Sequence, residues 1–306
     1  MQKQLQGIGV ALVTPFTKDN QVDTVALIRI VNHLIEGGID YLVVLGTTAE
    51  TPTLSASEKQ LVRETVVKAN QGRLPLVLGI GGNNTEAVVN EIQQTDTSSF
   101  CAILSVVPYY NKPTQDGIYA HYAQIAKNSK LPIITYNVPG RTGISMVADT
   151  VNKLARDFDN IVAVKEGGGN SQLAMEIIKD KPQDFLYISG DDMFALASVY
   201  MGGSGVISVV GGAFPKEFSQ MIHLGLQGEI QKANVLHYKL MSQISLAFRE
   251  GNPVGIKAIL AEKGLCNPYV RLPLVEASPS LKTDIKKAFF LIRFKNIYWK
   301  KSNLDF

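Results

Sequence analysis

The 306-residue chain is 45% hydrophobic and 19% charged, the balance of a globular fold with material for a sizeable core. Its formal net charge of +3 is too small to call for a polyanionic partner, and no apolar run approaches a membrane span. Two cysteines, Cys101 and Cys266, stand far apart outside any C-x-x-C spacing, which argues against a disulfide framework or a thiolate zinc site.

Met1 to Gln6 are polar and lack the apolar centre of a secretory leader, so the expected location is cytoplasmic. Gly7 to Phe16 reads as a buried strand, followed by a helix from about Thr24 to Glu36. Its spacing puts Ile28, Val31, Leu34 and Ile35 on one face, and Gly37-Gly38 stops it. Tyr41 to Gly46 is a second strand; a loop through Thr47 and Pro52 leads to a helix opened by Ser57 near Glu58. Strands at 74–82 and 101–107 each precede a helix, at 85–94 and 115–128. The alternation continues with strands at 132–138, 161–165, 186–190 and 205–210, and helices at 146–158, 172–179, 193–201 and 215–227.

Eight buried strands, each followed by a helix, favour a closed (β/α)8 TIM barrel, which leaves no exposed sheet edge. A doubly wound open sheet usually has fewer strands and a phosphate-loop signature. Gly79-Ile80-Gly81-Gly82 comes nearest to one, but Asn84 stands where a dinucleotide fingerprint needs its third glycine. After Gly228 only helices follow, so the expected organisation is a catalytic barrel over 1–228 and a helical extension over 229–306. The last helix, from about Ser280 to Lys300, mixes aromatic and basic residues. Packing on the body suits it better than contact with nucleic acid or a membrane surface.

The chemistry of such a barrel lies at the C-terminal ends of its strands. There stand Thr47, Thr48, Tyr109, Tyr110, Tyr136, Lys165, Gly190 and the pair Asp191-Asp192, whose carboxylates could hold a metal but suit an N-cap of the helix that starts there better. Ile161-Val162-Ala163-Val164-Lys165 is an apolar strand that ends in a lysine. A strand-end lysine ordinarily snorkels to solvent. Desolvation instead favours the neutral amine that attacks a carbonyl to form an imine. A lysine among phenols and hydroxyls is the equipment of a class I aldolase, and Arg141 offers a bidentate clamp for a carboxylate. The four histidines, His33, His121, His223 and His237, all fall inside helices without metal-ligand spacing and read as structural.

Four motifs taken together resemble the dihydrodipicolinate synthase family of pyruvate-dependent class I aldolases, the superfamily that includes N-acetylneuraminate lyase. They are Gly46-Thr47-Thr48-Ala49-Glu50, Val107-Pro108-Tyr109-Tyr110-Asn111, Tyr136 to Gly143, and Val164-Lys165-Glu166. Ala49 departs from the glycine of many members but stays small. The resemblance implies a lyase that condenses pyruvate, held as an imine on Lys165, with L-aspartate 4-semialdehyde on the diaminopimelate route to lysine. It implies that Tyr136 relays protons, with Thr48 and Tyr110 completing a hydroxyl chain. Thr47 and Thr48 would hold the pyruvate carboxylate and Arg141 that of the semialdehyde, while Gly190 and Ile207 line the site. Tyr110 would be supplied across a homodimer interface, with dimers often paired into homotetramers. No metal, organic cofactor, nucleic acid or membrane is implied. A sister aldolase such as N-acetylneuraminate lyase lacks the arginine, and a silent ligand-binding barrel has no use for the intact lysine and hydroxyl set. Lysine-inhibited members carry a carboxylate on the third helix where this chain has Ala87, and often histidine on the second helix where it has Ala56 and Lys59. Weak or absent inhibition by L-lysine is therefore expected.

Overall fold

The computed structural model describes residues 2–289. Eight parallel strands close into a barrel in chain order: β1 (Gly7–Ala11), β2 (Tyr41–Val44), β3 (Leu76–Gly79), β4 (Ala102–Val106), β5 (Ile133–Asn137), β6 (Ile161–Glu166), β7 (Leu186–Ser189) and β8 (Gly205–Ser208). The ring closes where β8 pairs with β1, Gly7 opposite Gly205. Outside it run α1 (Thr24–Glu36), α2 (Ala56–Asn70), α3 (Thr85–Gln94), α4 (Gln115–Asn128), a short α5 (Pro139–Thr142), α6 (Ala148–Asp157), α7 (Ser171–Asp180), α8 (Ala195–Tyr200) and α9 (Pro215–Leu226). The helices α10 (Ile230–Phe248) and α11 (Val254–Glu262) follow, and the chain is helical again over 279–289. Phe289 stacks on Phe214 with ring centroids 5.8 Å apart; the aromatic and basic residues from 290 onward lie outside the described residues.

Strand alternation builds two cores. Leu104, Ile134, Ala163, Ile188 and Ile207 fill the barrel interior, whereas Val10, Val44, Leu78, Ile103 and Val164 face the helices. Ala163 and Val164 thus point to opposite sides, and the same parity aims Lys165 inward and Glu166 outward.

Several local expectations need correction. The strands are shorter than the apolar runs, because their last residues turn into loops: β1 ends at Ala11, and Phe16 makes only a bridge with Val22. On α1 the buried face is Ala26, Leu27, Ile30, Val31 and Leu34. Ile28 is 41% exposed, since it lies about 100° around the helix from Leu27. The opener of α2 is Ser55, not Ser57; its hydroxyl accepts from the Glu58 N–H while the Glu58 carboxylate accepts from the Ser55 N–H, a capping box that needs the three-residue spacing. Asp191 and Asp192 do not cap α8. Asp191 accepts from the N–H groups of Met193 and Phe194 in the turn ahead of it, and Asp192 reaches the loop after β8.

At the opposite end of the barrel from the strand C-termini, His223 Nε2 lies 2.8 Å from Asp40 Oδ2, an oxygen that also accepts from the Ile8 N–H at 2.7 Å. The Asp40 hydrogen bond raises the His223 imidazole above its ordinary value, against an opposing effect of burial. A raised folded-state value stabilises fully below the unfolded pKa of about 6.5 and is lost as pH rises through the folded value. Both side chains are about a third exposed or more, 39% and 33%, so screening holds the contribution under about 1 kcal/mol. Thermal unfolding of His223→Gln should show a larger loss at pH 5.5 than at pH 8.5. An equal loss at both would assign His223 to packing alone.

Candidate active site

At the C-terminal mouth of the barrel lies a cavity of about 460 Å3 whose wall includes Thr47, Tyr109, Tyr136, Arg141 and Asn252, a volume typical of small-molecule sites. Tyr136 and Lys165 are register partners on adjacent strands β5 and β6. Strand parity turns both inward, and Lys165 Nζ lies 4.2 Å from the centroid of the Tyr136 ring. Lys165 is only 5% exposed, so it does not snorkel. A Cβ at Gly190 would stand 2.9 Å from Lys165 Cε, so that position keeps the space the lysine side chain occupies. Ile207 is fully buried in the same interior cluster as Tyr136.

Glu166 points the other way and straps the mouth together. Its carboxylate accepts from Asn137 Nδ2 and from the Gly168 N–H, both at 2.6 Å, and burial raises its pKa. Asn137 Oδ1 accepts from the Met146 N–H at 2.9 Å, which closes the loop that carries α5 and Arg141. Proline at the first position of α5 starts that single turn and Gly143, at φ +74°, ends it. Asp192 is 2% exposed and spans from β7 to the N–H groups of Val209 and Val210. Burial pushes its carboxyl up to about 6 against those hydrogen bonds.

Thr47 and Thr48 sit in a tight turn after β2 that ends at Glu50, whose φ is +55°. Thr47 reaches the cavity wall; Thr48 is 2% exposed, and its hydroxyl accepts from Asn252 Nδ2 at 2.9 Å. Tyr110 is not brought to this cavity within the chain. It is 88% exposed at φ +70°, and its loop is pinned by Asn83 Nδ2 donating to the Tyr109 carbonyl and Asn111 Nδ2 donating to the Asn83 carbonyl. The Gly79-Ile80-Gly81-Gly82 stretch is close packing: a Cβ at Gly79 would stand 2.2 Å from the Leu45 carbonyl oxygen. The histidines sit on helices α1, α4, α9 and α10, with His121 Nδ1 against the Thr85 hydroxyl at 2.9 Å and its imidazole driven down to about 4 by burial.

Sequence reasoning missed Asn252, Lys257 and the reach of Asp192. Lys257 on α11 is fully buried and pairs with Glu50, two residues beyond Thr48. Its carbonyl partner is Tyr269, at 2.9 Å. Only the Asn-Pro pair between two helices offered a local signal.

Comparison with known proteins agrees with this geometry. The 4-hydroxy-tetrahydrodipicolinate synthase of Flavobacterium psychrophilum is 58% identical over 279 residues, covering 91% of this chain and 95% of that protein. The dihydrodipicolinate synthase crystal structure from Aquifex aeolicus superposes with a TM-score of 0.91 at 38% identity, covering 94% of this chain and 98% of its own. That of Acinetobacter baumannii, chloride-inhibited and complexed with pyruvate, gives 0.90 at 36% identity, covering 92% and 97%. The sequence profile described as the dihydrodipicolinate synthetase family matches residues 4–290. A closed parallel barrel, a buried lysine under a tyrosine ring and this likeness over nearly the whole chain lead to one conclusion: the chain belongs to the dihydrodipicolinate synthetase family.

Proposed function

We propose that this chain is a 4-hydroxy-tetrahydrodipicolinate synthase, a lyase that condenses pyruvate with L-aspartate 4-semialdehyde through an imine on Lys165. The observation that carries the reading is the buried Lys165 amine over the Tyr136 ring, beside a cavity with an arginine at its rim. The amine adds to the pyruvate C2 carbonyl and water leaves. The resulting imine is an electron sink, so a methyl proton becomes acidic and an enamine forms. The enamine carbon attacks the aldehyde, the semialdehyde amine then displaces Lys165 at C2, and the ring closes. Tyr136 is placed to carry protons at Lys165. Thr47 and Thr48 receive the pyruvate carboxylate, Arg141 that of the semialdehyde, and Gly190 and Ile207 shape the floor.

Tyr110 belongs to the proposal through a second copy of the chain. An exposed aromatic on a pinned loop suits insertion into a partner's site, making a homodimer the catalytic unit and a homotetramer its pairing. The division into a barrel over 1–228 and an extension over 229–306 belongs here too, with Asn252 and Lys257 giving the extension a share in the site. Among the described residues no helix is long and apolar enough to cross a membrane, and the proposed location is cytoplasmic.

An assay with pyruvate and aspartate semialdehyde, run beside one with N-acetylneuraminate, tests the reading; turnover of the latter alone would replace the synthase with the sister lyase. In the first assay Tyr136→Phe should lower kcat about a hundredfold, the scale of a lost proton carrier. Wild-type turnover would remove Tyr136 from the relay.

Regulation follows from the groove between α2 and α3. There Lys59 Nζ lies 3.5 Å from Glu91 Oε1, one turn beyond Ala87 on α3. Glu91 supplies a carboxylate one helical turn from Ala87, but it is already paired. A lysine ligand would exchange one ammonium for another on it, with little net gain. L-lysine titration at saturating substrates should therefore show weak or no inhibition; strong inhibition at sub-millimolar lysine would show that Glu91 changes partner.

A further inference from the structure

Asn252 lies between α10 and α11, 204 residues from Thr48 in sequence and 8% exposed. It touches both halves of the site. Its side-chain Nδ2 donates to Thr48 Oγ1 at 2.9 Å, and its backbone carbonyl accepts from Arg141 Nη2 at 3.0 Å. Its Oδ1 is buried without a hydrogen-bond partner among the described residues. The contact is held by a second clasp close by, since Lys257 on α11 grips Glu50 at the end of the turn that carries Thr48.

The direction of the first bond has a chemical consequence. An amide nitrogen only donates, so Thr48 Oγ1 must accept there. A hydroxyl has one proton, and among the described residues this one is left with no acceptor. A buried donor without a partner is costly unless a ligand completes it. We infer that Asn252 is a positioning residue, whose amide turns the Thr48 hydroxyl into a donor toward the pyruvate carboxylate while its carbonyl holds Arg141 for the second substrate. This rests on the proposed imine at Lys165 and adds to it how the carboxylate is met. The reverse amide orientation would draw the Thr48 proton onto Oδ1 and leave the hydroxyl with nothing to donate.

Asn252→Asp and Asn252→Ala separate the two, with the KM of each substrate measured between pH 5.5 and 8.5. Both variants keep the backbone carbonyl, so the semialdehyde KM should stay within about twofold. At pH 8 the aspartate carboxylate accepts the Thr48 proton and repels pyruvate, and the pyruvate KM should rise about a hundredfold, the scale of a charge-assisted hydrogen bond lost. Position 252 is 8% exposed, and such burial raises a carboxyl above its ordinary range. As pH falls and the carboxylate protonates, it donates to Thr48 as the amide did and the pyruvate KM should recover. Asn252→Ala should raise the pyruvate KM about tenfold with no recovery at low pH. In a Thr48→Val background, Asn252→Ala should change the pyruvate KM no further. A wild-type pyruvate KM for Asn252→Asp at pH 8 would overturn the inference by showing that Thr48 donates to Asn252. Equal, pH-independent rises in both KM values would reduce Asn252 to a strut. Failure of the unmutated enzyme to trap pyruvate on Lys165 is a different failure, because it removes the imine itself and the inference with it.

Discussion

Lys165→Met should fold but turn over pyruvate and aspartate semialdehyde at least about a thousandfold more slowly than the unmutated enzyme, the scale expected when a covalent nucleophile is deleted. The thioether fills nearly the volume of the lysine stem, so the pairing of β6 with β5 and β7 and the packing against Gly190 are kept. What disappears is the amine, and with it the imine that acidifies the pyruvate methyl group. No other lysine stands at the Tyr136 ring in the described residues. Circular dichroism and the thermal midpoint check that the fold survives. Turnover within tenfold of the parent would mean that Lys165 is a structural lysine and that the chemistry lies elsewhere.

Lys257→Met should lower stability by roughly 3–5 kcal/mol, because it leaves Glu50 as a buried carboxylate without its countercharge. Both side chains are essentially sealed, at 0% and 1% exposure, and Lys257 also lies over the Phe16 ring with its nitrogen 4.1 Å from the centroid. Burial drags the ammonium below its ordinary pKa while Glu50 holds it up. Glu50 retains the Arg271 N–H at 2.9 Å after the change, which is too little for a full charge. The double variant Glu50→Gln, Lys257→Met should recover a large part of the loss, since replacing a buried pair costs far less than breaking it. Thermal midpoints at one fixed protein concentration compare the three, because assembly would otherwise shift them. A single variant as stable as the parent would show the pair to be dispensable. A double variant no better than the single would show that the cost lies in lost packing.

The architecture was legible because the strands are buried on both faces and read as mostly apolar runs, Tyr41-Leu42-Val43-Val44 being the cleanest. Strand ends were less legible, since the runs continue into the loops that leave the barrel. On α1 two adjacent apolar residues, Leu27 and Ile28, compete for one face, and only packing decides that Leu27 goes in. Lys165 was legible because a charge closing an apolar strand is anomalous. Its nearness to Tyr136 needed the register of β5 on β6, which no local pattern encodes. Asn252 and Lys257 were invisible for a related reason: they act on Thr48 and Glu50 across more than two hundred residues of chain. Tyr110 reads as a strand-end residue in sequence, but β4 stops at Val106 and Tyr110 stands four residues on, in a loop that the single chain points into solvent.

The central claim is that pyruvate becomes covalently bound to Lys165. Incubating the enzyme with pyruvate and sodium borohydride, then measuring intact mass and mapping peptides, tests it directly. The predicted result is one reduced pyruvate adduct per chain, on the peptide that contains Lys165, and absent from Lys165→Met. An adduct on another lysine, or none under conditions where the enzyme turns over, would contradict the account.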